Sequence, residues 1–435
     1  MRLHQHRRLC QSIALAFSSL GGIAAMASPN VQGGGSSLIA PAIGTIGNTA
    51  TEIGLFGTAE GSFTYFSVGS GAGQNAFLNN QPTFFGSTVT GTVHFANSDA
   101  ALSSAQLTSY KAGLGATNGP LIQIPYIVTP ITIPVVNGPA VTSTTTPQTT
   151  PGQAHSIALN DDDLCGIFSG KLTNWNQIIN PETNSPYVLN EPIKVVYSSD
   201  ASGTTELLTR HLAAVCWAGN TAAGVTFFDS MTFTASFPGG VVPSNFIAAS
   251  GDGGVRRQLA SYASAGMAAV AYLAPNYANT FLAPSSTVMT SAGALQLPVA
   301  SLVNKMNGVY YAPTYTNATR ALGAIHPPAL RSYAANPANW EMNTSNPPSG
   351  YPISGMSYII LSQCYADPAV GTAVHDFLNA HYTNPSFASI VHGNGFDTIP
   401  TNFQTAISNE FLSNASTWNL DIGNTSVCTG TVVGR

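Results

Sequence analysis

The chain has 435 residues, of which only 7% are charged, and 18 acidic residues outnumber 13 basic ones to give a formal net charge of -5. So few lysines and arginines argue against a nucleic-acid-binding protein, because such a protein has to neutralise many phosphates. The length exceeds what a single hydrophobic core usually holds, so we expect two or more lobes.

The first 27 residues have the pattern of a secretory signal peptide. Three arginines precede an apolar run that begins at Ile13, and the segment ends in Ala-Met-Ala. The apolar run is too short for a membrane span, and no later stretch reaches the length of about 20 apolar residues that a span requires. Cys10 lacks the surrounding pattern of a lipid attachment site. We therefore expect an exported protein, periplasmic or secreted, whose mature part has ten basic and 18 acidic residues and a net charge of -8.

The rest of the chain alternates between apolar strand patterns and amphipathic helix patterns, which predicts an α/β fold. Strands are predicted over 62–68, 93–96, 122–136, 193–197, 267–273 and 353–361. Helices are predicted over 72–79, 162–169, 204–217, 254–265, 369–381 and 403–413. The stretch 137–156 is rich in Pro, Thr and Ser and is predicted to be an exposed loop, and the irregular region 325–349 is typical of a connector between lobes.

Four strand-to-helix turns along the chain carry serine or threonine, within 33–37, 65–73, 94–102 and 193–212, and all but the one within 94–102 also contain glycine. The first backbone N–H groups of a helix have no internal partner and lie at the positive end of the helix dipole, so such turns can surround an anion. Each turn alone is more simply a flexible turn or a helix cap. Because the carboxyl ends of strands gather at one crevice in open α/β sheets, the four turns together predict one anion site.

Four cysteines remain after the signal segment, namely Cys165, Cys216, Cys364 and Cys428. An even number in an exported protein predicts two disulfides. Three pairings are formally possible, and Cys165 with Cys216 and Cys364 with Cys428 is the local one. The spacing is not that of a zinc site, so we predict no metal.

The sequence contains no motif of a hydrolytic enzyme. Ser70 lies between two glycines but lacks the G-x-S-x-G spacing of a nucleophile elbow, and no His-Glu-x-x-His is present. The C-terminal histidines His375, His381 and His392 are expected to be surface or helix-capping residues. The acidic run 161–163 fits the negatively charged start of a helix better than a calcium loop.

Six segments follow one another along the chain: GGGSSLIAP, YFSVGSGAGQNAFL, VHFANSDAALS, LCGIFSGKLTNW, IKVVYSSDASGTTELLTRHL and SGYPISGMSYIILSQCYAD. In this order they resemble the phosphate-binding proteins of ABC transporters, and more closely their secreted relatives, the DING proteins. The segment IGNTSVC at 422–428 resembles the DING C-terminus, and the four cysteines stand where that subfamily has two disulfides. One departure lies at 30–33, which reads Asn-Val-Gln-Gly in place of Asp-Ile-Asn-Gly.

The resemblance implies a two-lobed, type II periplasmic-binding-protein-like fold in which each lobe is a mixed sheet flanked by helices. The implied division is a signal peptide over 1–27, a first lobe over 28–130 plus 351–435 and a second lobe over 131–350. The implied function is the capture of inorganic phosphate in the interlobe cleft for an ABC transporter permease, by a monomer without cofactor. The alternatives are a secreted phosphomonoesterase resembling alkaline phosphatase and a secreted structural protein with weakened ligand binding.

The ligand set that the resemblance implies consists of hydroxyls, backbone N–H groups and one carboxylate: Ser37, the backbone of Leu38, Ser70, Asp99, Ser202, Gly203 and Thr204. Hydroxyls and amides donate hydrogen bonds to phosphate oxygens, whereas an ionised Asp99 only accepts. Asp99 therefore suits the proton of hydrogen phosphate and repels sulfate, which carries no proton.

The phosphate-binding proteins that this sequence resembles have an arginine at the position of Ser198. A serine cannot reproduce the bidentate, charge-assisted contact of a guanidinium, so we expect Ser198 to change affinity or specificity. Arg256 is the candidate replacement, because it begins a helix that approaches the cleft in the family. The simpler interpretation of Arg256 and Arg257 is a solvated surface pair.

Overall fold

The structure of the protein, a computed structural model, describes residues 28–279, 281–289, 295–342 and 345–435. The predicted signal peptide, with Cys10, lies outside the described residues. Within the described ranges, the helices lack the combination of length and apolar character needed to cross a membrane.

The described strands are, in chain order, β1 (Asn30–Gly35), β2 (Ser62–Ser67), β3 (Phe95–Ser98), β4 (Leu121–Pro130), β5 (Val135–Val136), β6 (Ala158–Leu159), β7 (Ile179–Asn180), β8 (Ser185–Pro186), β9 (Lys194–Ser198), β10 (Phe246–Ala249), β11 (Ala269–Ala271), β12 (Ser301–Asn304), β13 (Val309–Tyr311), β14 (Ser354–Ser362) and β15 (Asp397–Thr398). The described α-helices are α1 (Ala40–Ile43), α2 (Glu52–Phe56), α3 (Ser70–Asn79), α4 (Ser104–Ala112), α5 (Gly115–Asn118), α6 (Asp161–Ser169), α7 (Gly203–Val215), α8 (Gly251–Ser264), α9 (Pro275–Ala278), α10 (Tyr315–Leu322), α11 (Arg331–Ala334), α12 (Pro368–Thr383), α13 (Pro385–Gly393) and α14 (Thr401–Ile407).

Two sheets organise the molecule into two lobes. The larger sheet has the order β15-β4-β14-β3-β1-β2, in which β1 runs parallel to β2 and β3, and β14 runs antiparallel to β3 and β4. The second sheet has the order β10-β9-β11-β5, in which β9 is parallel to β10 and β11. The prediction of a mixed α/β, two-lobed fold is confirmed.

The chain passes from the larger sheet to the second one between β4 and β5. The sequence predicts a single strand over 122–136, because this stretch is a nearly continuous run of apolar and β-branched residues. In the structure β4 ends at Pro130 and β5 begins at Val135, and Thr132 makes an isolated bridge to Leu273. The predicted strand is therefore two strands, one in each sheet.

The glycines at 33–35 lie in a strand and not in the predicted turn. They form the second half of β1, which pairs with β2 on one side and β3 on the other. A Cβ at Gly33 would lie 2.5 Å from the ring of Phe95, and a Cβ at Gly34 would lie 2.4 Å from the carbonyl oxygen of Phe66. Glycine is therefore required by close packing within the sheet, and the turn begins only at Ser36.

Two disulfides are present, with the local pairing. Cys165 in α6 is bonded to Cys216 at the end of α7, and Cys364 after β14 is bonded to Cys428 in the C-terminal segment. Each bond joins elements of the same lobe, so neither disulfide restrains one lobe against the other.

The stretch 137–156 contains no helix or strand, but it is not fully exposed. Thr146 and Thr149 are buried. The Thr146 hydroxyl donates to the Ser156 carbonyl at 2.7 Å, and the Thr149 hydroxyl donates to the Val299 carbonyl. The threonines, whose abundance predicted an exposed loop, instead supply hydroxyls that bond within the loop at Thr146 and to the neighbouring segment at Thr149.

Candidate functional site

Three helices begin at the cleft between the two lobes. α3 follows β2 in the first lobe, whereas α7 follows β9 and α8 follows β10 in the second lobe. A Cβ at Gly203, the first residue of α7, would lie 2.5 Å from the Ser70 hydroxyl at the start of α3. The N–H group of Asp252 in α8 donates to the Ser37 hydroxyl at 3.2 Å. The cleft therefore receives helix N-termini from both lobes, which is an arrangement suited to anions.

Asp99 follows β3 and is the buried carboxyl group of the first lobe, with 1% of its surface exposed. The Ser36 hydroxyl lies 2.8 Å from both carboxyl oxygens, and the Ser70 hydroxyl lies 3.4 Å from Oδ2. Ser70 also accepts a hydrogen bond from the Asp99 N–H at 3.1 Å. Burial, with a smaller contribution from the charge of Asp252, raises the pKa of Asp99 to about 7, although hydrogen bonds from neighbouring serine hydroxyls oppose the rise.

Asp252, in the first turn of α8, is a second buried carboxyl group, with 3% of its surface exposed. It accepts hydrogen bonds from the Ser37 hydroxyl at 2.5 Å, the Thr204 hydroxyl at 3.3 Å and the Ala274 N–H at 3.1 Å. Burial raises the pKa of Asp252 as well. Because Ser37 belongs to the first lobe and Thr204 to the second, the hydrogen bonds of Asp252 connect the two lobes. Asp252 is not among the site residues predicted from the sequence.

Ser202 caps α7, as its position before Gly203 suggests. Its hydroxyl oxygen accepts from the Thr205 N–H at 3.3 Å, and its own N–H donates to the Met231 carbonyl at 3.0 Å. Capping uses a lone pair of the hydroxyl and not its proton. The hydroxyl oxygen of Ser202 therefore caps α7, while its hydroxyl proton can be donated to a ligand.

Ser198, which stands where the resembling family has an arginine, hydrogen-bonds to an acid two residues later. Its hydroxyl donates to Asp200 Oδ1 at 2.5 Å, and the same oxygen accepts from the Gly251 N–H at 2.8 Å. Asp200 Oδ2 is buried and has no hydrogen-bond partner among the described residues. A Cβ at Gly69 would lie 2.4 Å from that oxygen, so Asp200 reaches across to the first lobe.

Arg256 does not supply a cation to these carboxyl groups. Its guanidinium donates to the carbonyls of Tyr277 and Leu295, and desolvation lowers its pKa. Arg256 is half-buried, so it also differs from the solvated surface residue of the simpler interpretation. Across the described ranges, the salt bridges of lysine, arginine and histidine do not include Asp99, Asp200 or Asp252.

The structure brings the residues of the implied ligand set to one place, and it adds three. Leu38 is buried, and its carbonyl accepts from the Asn276 side chain at 2.9 Å. The added residues are Ser36, Asp200 and Asp252. Asp252 had a detectable signal, since it follows Gly251 directly after a strand and opens a helix, as Ser70 and Gly203 do.

The C-terminal histidines do not form a metal site, but one of them is not a surface residue. His381 is buried, with its ring nitrogens 2.8 Å from Glu52 Oε1 and 2.8 Å from the Tyr126 carbonyl. Among the residues that the structure describes, no group of three or more His, Cys, Asp or Glu side chains could hold a metal ion. The acidic run at 161–163 begins α6, and Asp163 forms a capping box with Asn160.

Comparison with known proteins places this fold and site in a family. A family model described as the PBP superfamily domain matches residues 23–379. A protein from an unknown prokaryotic organism, named phosphate-binding protein, is 32% identical over 84% of this chain and 92% of its own length. A Pseudomonas aeruginosa protein named alkaline phosphatase L is 34% identical over 84% of this chain and 86% of its own length.

Solved structures agree with the sequence relatives. The periplasmic phosphate-binding protein PfluDING, bound with phosphate, is 32% identical and superposes with a TM-score of 0.72 over 93% of this chain and 99% of its own. A phosphate-binding protein from Stenotrophomonas maltophilia is 29% identical, with a TM-score of 0.73 over 94% of this chain and 100% of its own. The chain therefore belongs to the PBP superfamily, in the group that contains the phosphate-binding and DING proteins.

Proposed function

We propose that this chain is an exported protein that binds inorganic phosphate in the cleft between its lobes. The observation that carries the proposal is the convergence of three helix N-termini and several hydroxyls on the buried carboxyl group of Asp99. Backbone N–H groups and hydroxyls donate to an oxyanion, and Asp99 accepts the proton of a P–OH group. Relatives named phosphate-binding proteins, one with phosphate bound, support this choice of ligand.

The proposed ligand set is the one implied by the sequence: Ser37, the Leu38 backbone, Ser70, Asp99, Ser202, Gly203 and Thr204. We also propose lobe boundaries at 28–130 plus 351–435 and at 131–350. Strand membership supports these boundaries, since β1 to β4, β14 and β15 share one sheet, whereas β5 and β9 to β11 share the other.

We propose that the protein acts as a monomer and presents phosphate to an ABC transporter permease, in the periplasm or after secretion. A relative from Mycobacterium tuberculosis named phosphate-binding protein PstS 3, 28% identical over 80% of this chain, supports the transport role. The two disulfides support an oxidising compartment.

Calorimetric titration of the mature protein with phosphate and sulfate tests the proposed ligand. We expect saturable binding of phosphate and none of sulfate, because an ionised Asp99 repels an anion that brings no proton. Asp99→Asn replaces that acceptor with an amide that also donates, but Asp252 remains as a second carboxylate in the cleft, so we expect measurable sulfate binding when Asp99→Asn is combined with Asp252→Asn. Failure of the wild type to bind phosphate would overturn the proposal, and continued exclusion of sulfate by the double variant would remove the two carboxylates from this role.

A phosphomonoesterase is the second candidate, because one specific contact favours it. The Ser37 hydroxyl lies 2.5 Å from Asp252 Oδ2, and a hydroxyl beside a carboxylate is the arrangement of an activated nucleophile. Two Pseudomonas aeruginosa relatives, from different strains, bear the name alkaline phosphatase L. Turnover of a chromogenic phosphomonoester that is lost in Ser37→Ala would support the enzyme. Absence of both turnover and phosphate binding would support a structural protein.

A further inference from the structure

The hydroxyl groups of the cleft are already hydrogen-bonded to carboxyl groups. Ser36 and Ser70 lie within hydrogen-bond distance of Asp99, and Ser37 and Thr204 lie within hydrogen-bond distance of Asp252. Each hydroxyl has a single proton, so a hydroxyl that donates to an ionised carboxylate cannot donate to a phosphate oxygen at the same time. With both carboxyl groups ionised, these four side chains present mainly acceptors to a ligand.

Asp252 has a central place in this arrangement. It accepts from Ser37 of the first lobe and from Thr204 of the second, and its own N–H donates to the Ser37 hydroxyl at 3.2 Å. The Ala274 N–H donates to its other oxygen, Oδ1, at 3.1 Å. Asp252 therefore contacts two residues of the proposed ligand set, and it is fixed so that its carboxyl group faces the place where they meet.

The groups around Asp252 do not neutralise its charge. The titratable groups that face it from other elements are Asp99 after β3, Asp200 before α7, Tyr272 after β11 and Tyr277 in α9. On its own helix, Arg256 donates to carbonyl groups. Arg257 is exposed, and its Nη1 would lie 3.5 Å from a Cβ at Gly253, but within the described ranges it forms no salt bridge with Asp252. A hydrogen phosphate dianion in this cleft would meet two carboxylates with one proton to share between them.

We propose that Asp252 is a second proton acceptor in the phosphate site, so that this chain takes up phosphate as the doubly protonated monoanion. The inference rests on the proposed function and names the protonation state of its ligand. Dihydrogen phosphate has two P–OH donors, one for Asp99 and one for Asp252. It also carries one negative charge less than hydrogen phosphate. The second proton of the ligand thus offsets negative charge in this cleft, as the arginine does in the phosphate-binding relatives, where this chain has Ser198.

Titration calorimetry with phosphate at pH 6 and between pH 7.5 and 9 tests the inference, with the wild type, Asp252→Asn and Glu60→Gln. If phosphate binding takes up one proton, the wild-type affinity should fall about tenfold for each pH unit between pH 7.5 and 9. Asp252→Asn should show little such loss, because its amide no longer requires the second proton. Glu60 is exposed and remote from the cleft, so Glu60→Gln removes one negative charge and should behave as the wild type.

A second measurement needs only the wild type and covers the case in which Asp252→Asn fails to fold. The binding enthalpy at pH 8.5 in buffers of different ionisation enthalpy counts the protons taken up, and we expect about one per phosphate. An uptake near zero, or the same pH dependence in wild type and Asp252→Asn, overturns the role of Asp252 while phosphate binding stands. Absence of phosphate binding by the wild type at every pH overturns the proposed function itself.

Discussion

Ser198 and Asp200 show what the replacement of one cation does to a binding cleft. Asp200 keeps one oxygen hydrogen-bonded to Ser198 and to the Gly251 N–H, whereas its other oxygen is buried without a partner in the described part of the chain. A buried carboxyl oxygen without a donor is unfavourable. Asp200 Oδ2 could therefore accept a hydrogen bond from a guanidinium, but residue 198 is a serine and supplies none.

Ser198→Arg should strengthen phosphate binding. The guanidinium can donate to Asp200 Oδ2 and to the bound anion, and charge-assisted hydrogen bonds contribute about 1.5–3 kcal/mol, which is roughly tenfold or more in affinity. Calorimetry at pH 8.5 is the measurement, because the dianion gains most from an added positive charge. Ser199→Arg is the matched control, since Ser199 is exposed and the same charge is then placed outside the cleft. Equal affinities of both variants would contradict the prediction.

The starts of α3 and α7 are packed against each other with no spare volume. Gly203 is the first residue of α7, and a Cβ there would lie 2.5 Å from Asp99 Cβ and 2.5 Å from the Ser70 hydroxyl. Contacts this short require one of the helices to move. The glycine thus permits the approach of two helix N-termini that the proposed phosphate site needs.

Gly203→Ala should therefore reduce phosphate affinity by about tenfold or more, because the added methyl group separates the two helix starts. Calorimetry gives the affinity, and thermal unfolding shows whether the lobes stay folded. Gly253→Ala is the matched control in the first turn of α8, where an added Cβ would lie 3.5 Å from Arg257 Nη1, at ordinary van der Waals distance. We expect the control to retain affinity, and equal losses in both variants would count against a specific contact at Gly203.

The sequence predicts the helices and strands that carry the site better than the contacts between them. Helical spacing of apolar residues identified α7 and α8 to within three residues of the observed bounds, although α7 is buried over nearly its whole surface and not on one face alone. β1 was missed because its glycines have the composition of a turn, and only the packing against Phe95 and Phe66 explains them. His381 was expected to be a surface or helix-capping residue, since nothing local reveals its contact with Glu52, which lies 329 positions earlier in the chain.

The candidate site was predictable to the extent that it rests on local motifs. Ser70, Ser202 and Gly203 stand at strand-to-helix turns that are visible in the sequence, and the resemblance to the family then assigned them to the ligand set. Asp252 was not selected, because its importance comes from Ser37, which lies 215 residues away in the chain. Long-range pairs between lobes depend on how the lobes close, and a single sequence contains no local signal for that geometry.

The two lobes are in contact across the cleft through hydrogen bonds and close backbone approaches. Ser37 contacts Asp252, and the Gly71 N–H donates to the Ala201 carbonyl at 2.9 Å. Both disulfides lie within single lobes, so they stabilise each lobe without fixing the angle between them. A ligand that binds at the interface favours this closed arrangement over an open one by its contacts with both lobes.

Gly71→Val should keep the lobes apart. A Cβ at Gly71 would lie 2.5 Å from Ala201 Cβ, so the larger side chain acts as a wedge between the start of α3 and the turn before α7. With phosphate present, small-angle X-ray scattering should give a larger radius of gyration for Gly71→Val than for the wild type, and phosphate affinity should fall about tenfold or more. Asn75→Val, an exposed position on the same helix, is the matched control for a β-branched residue and should close as the wild type does. An unchanged radius of gyration in Gly71→Val would show that closure does not depend on this contact.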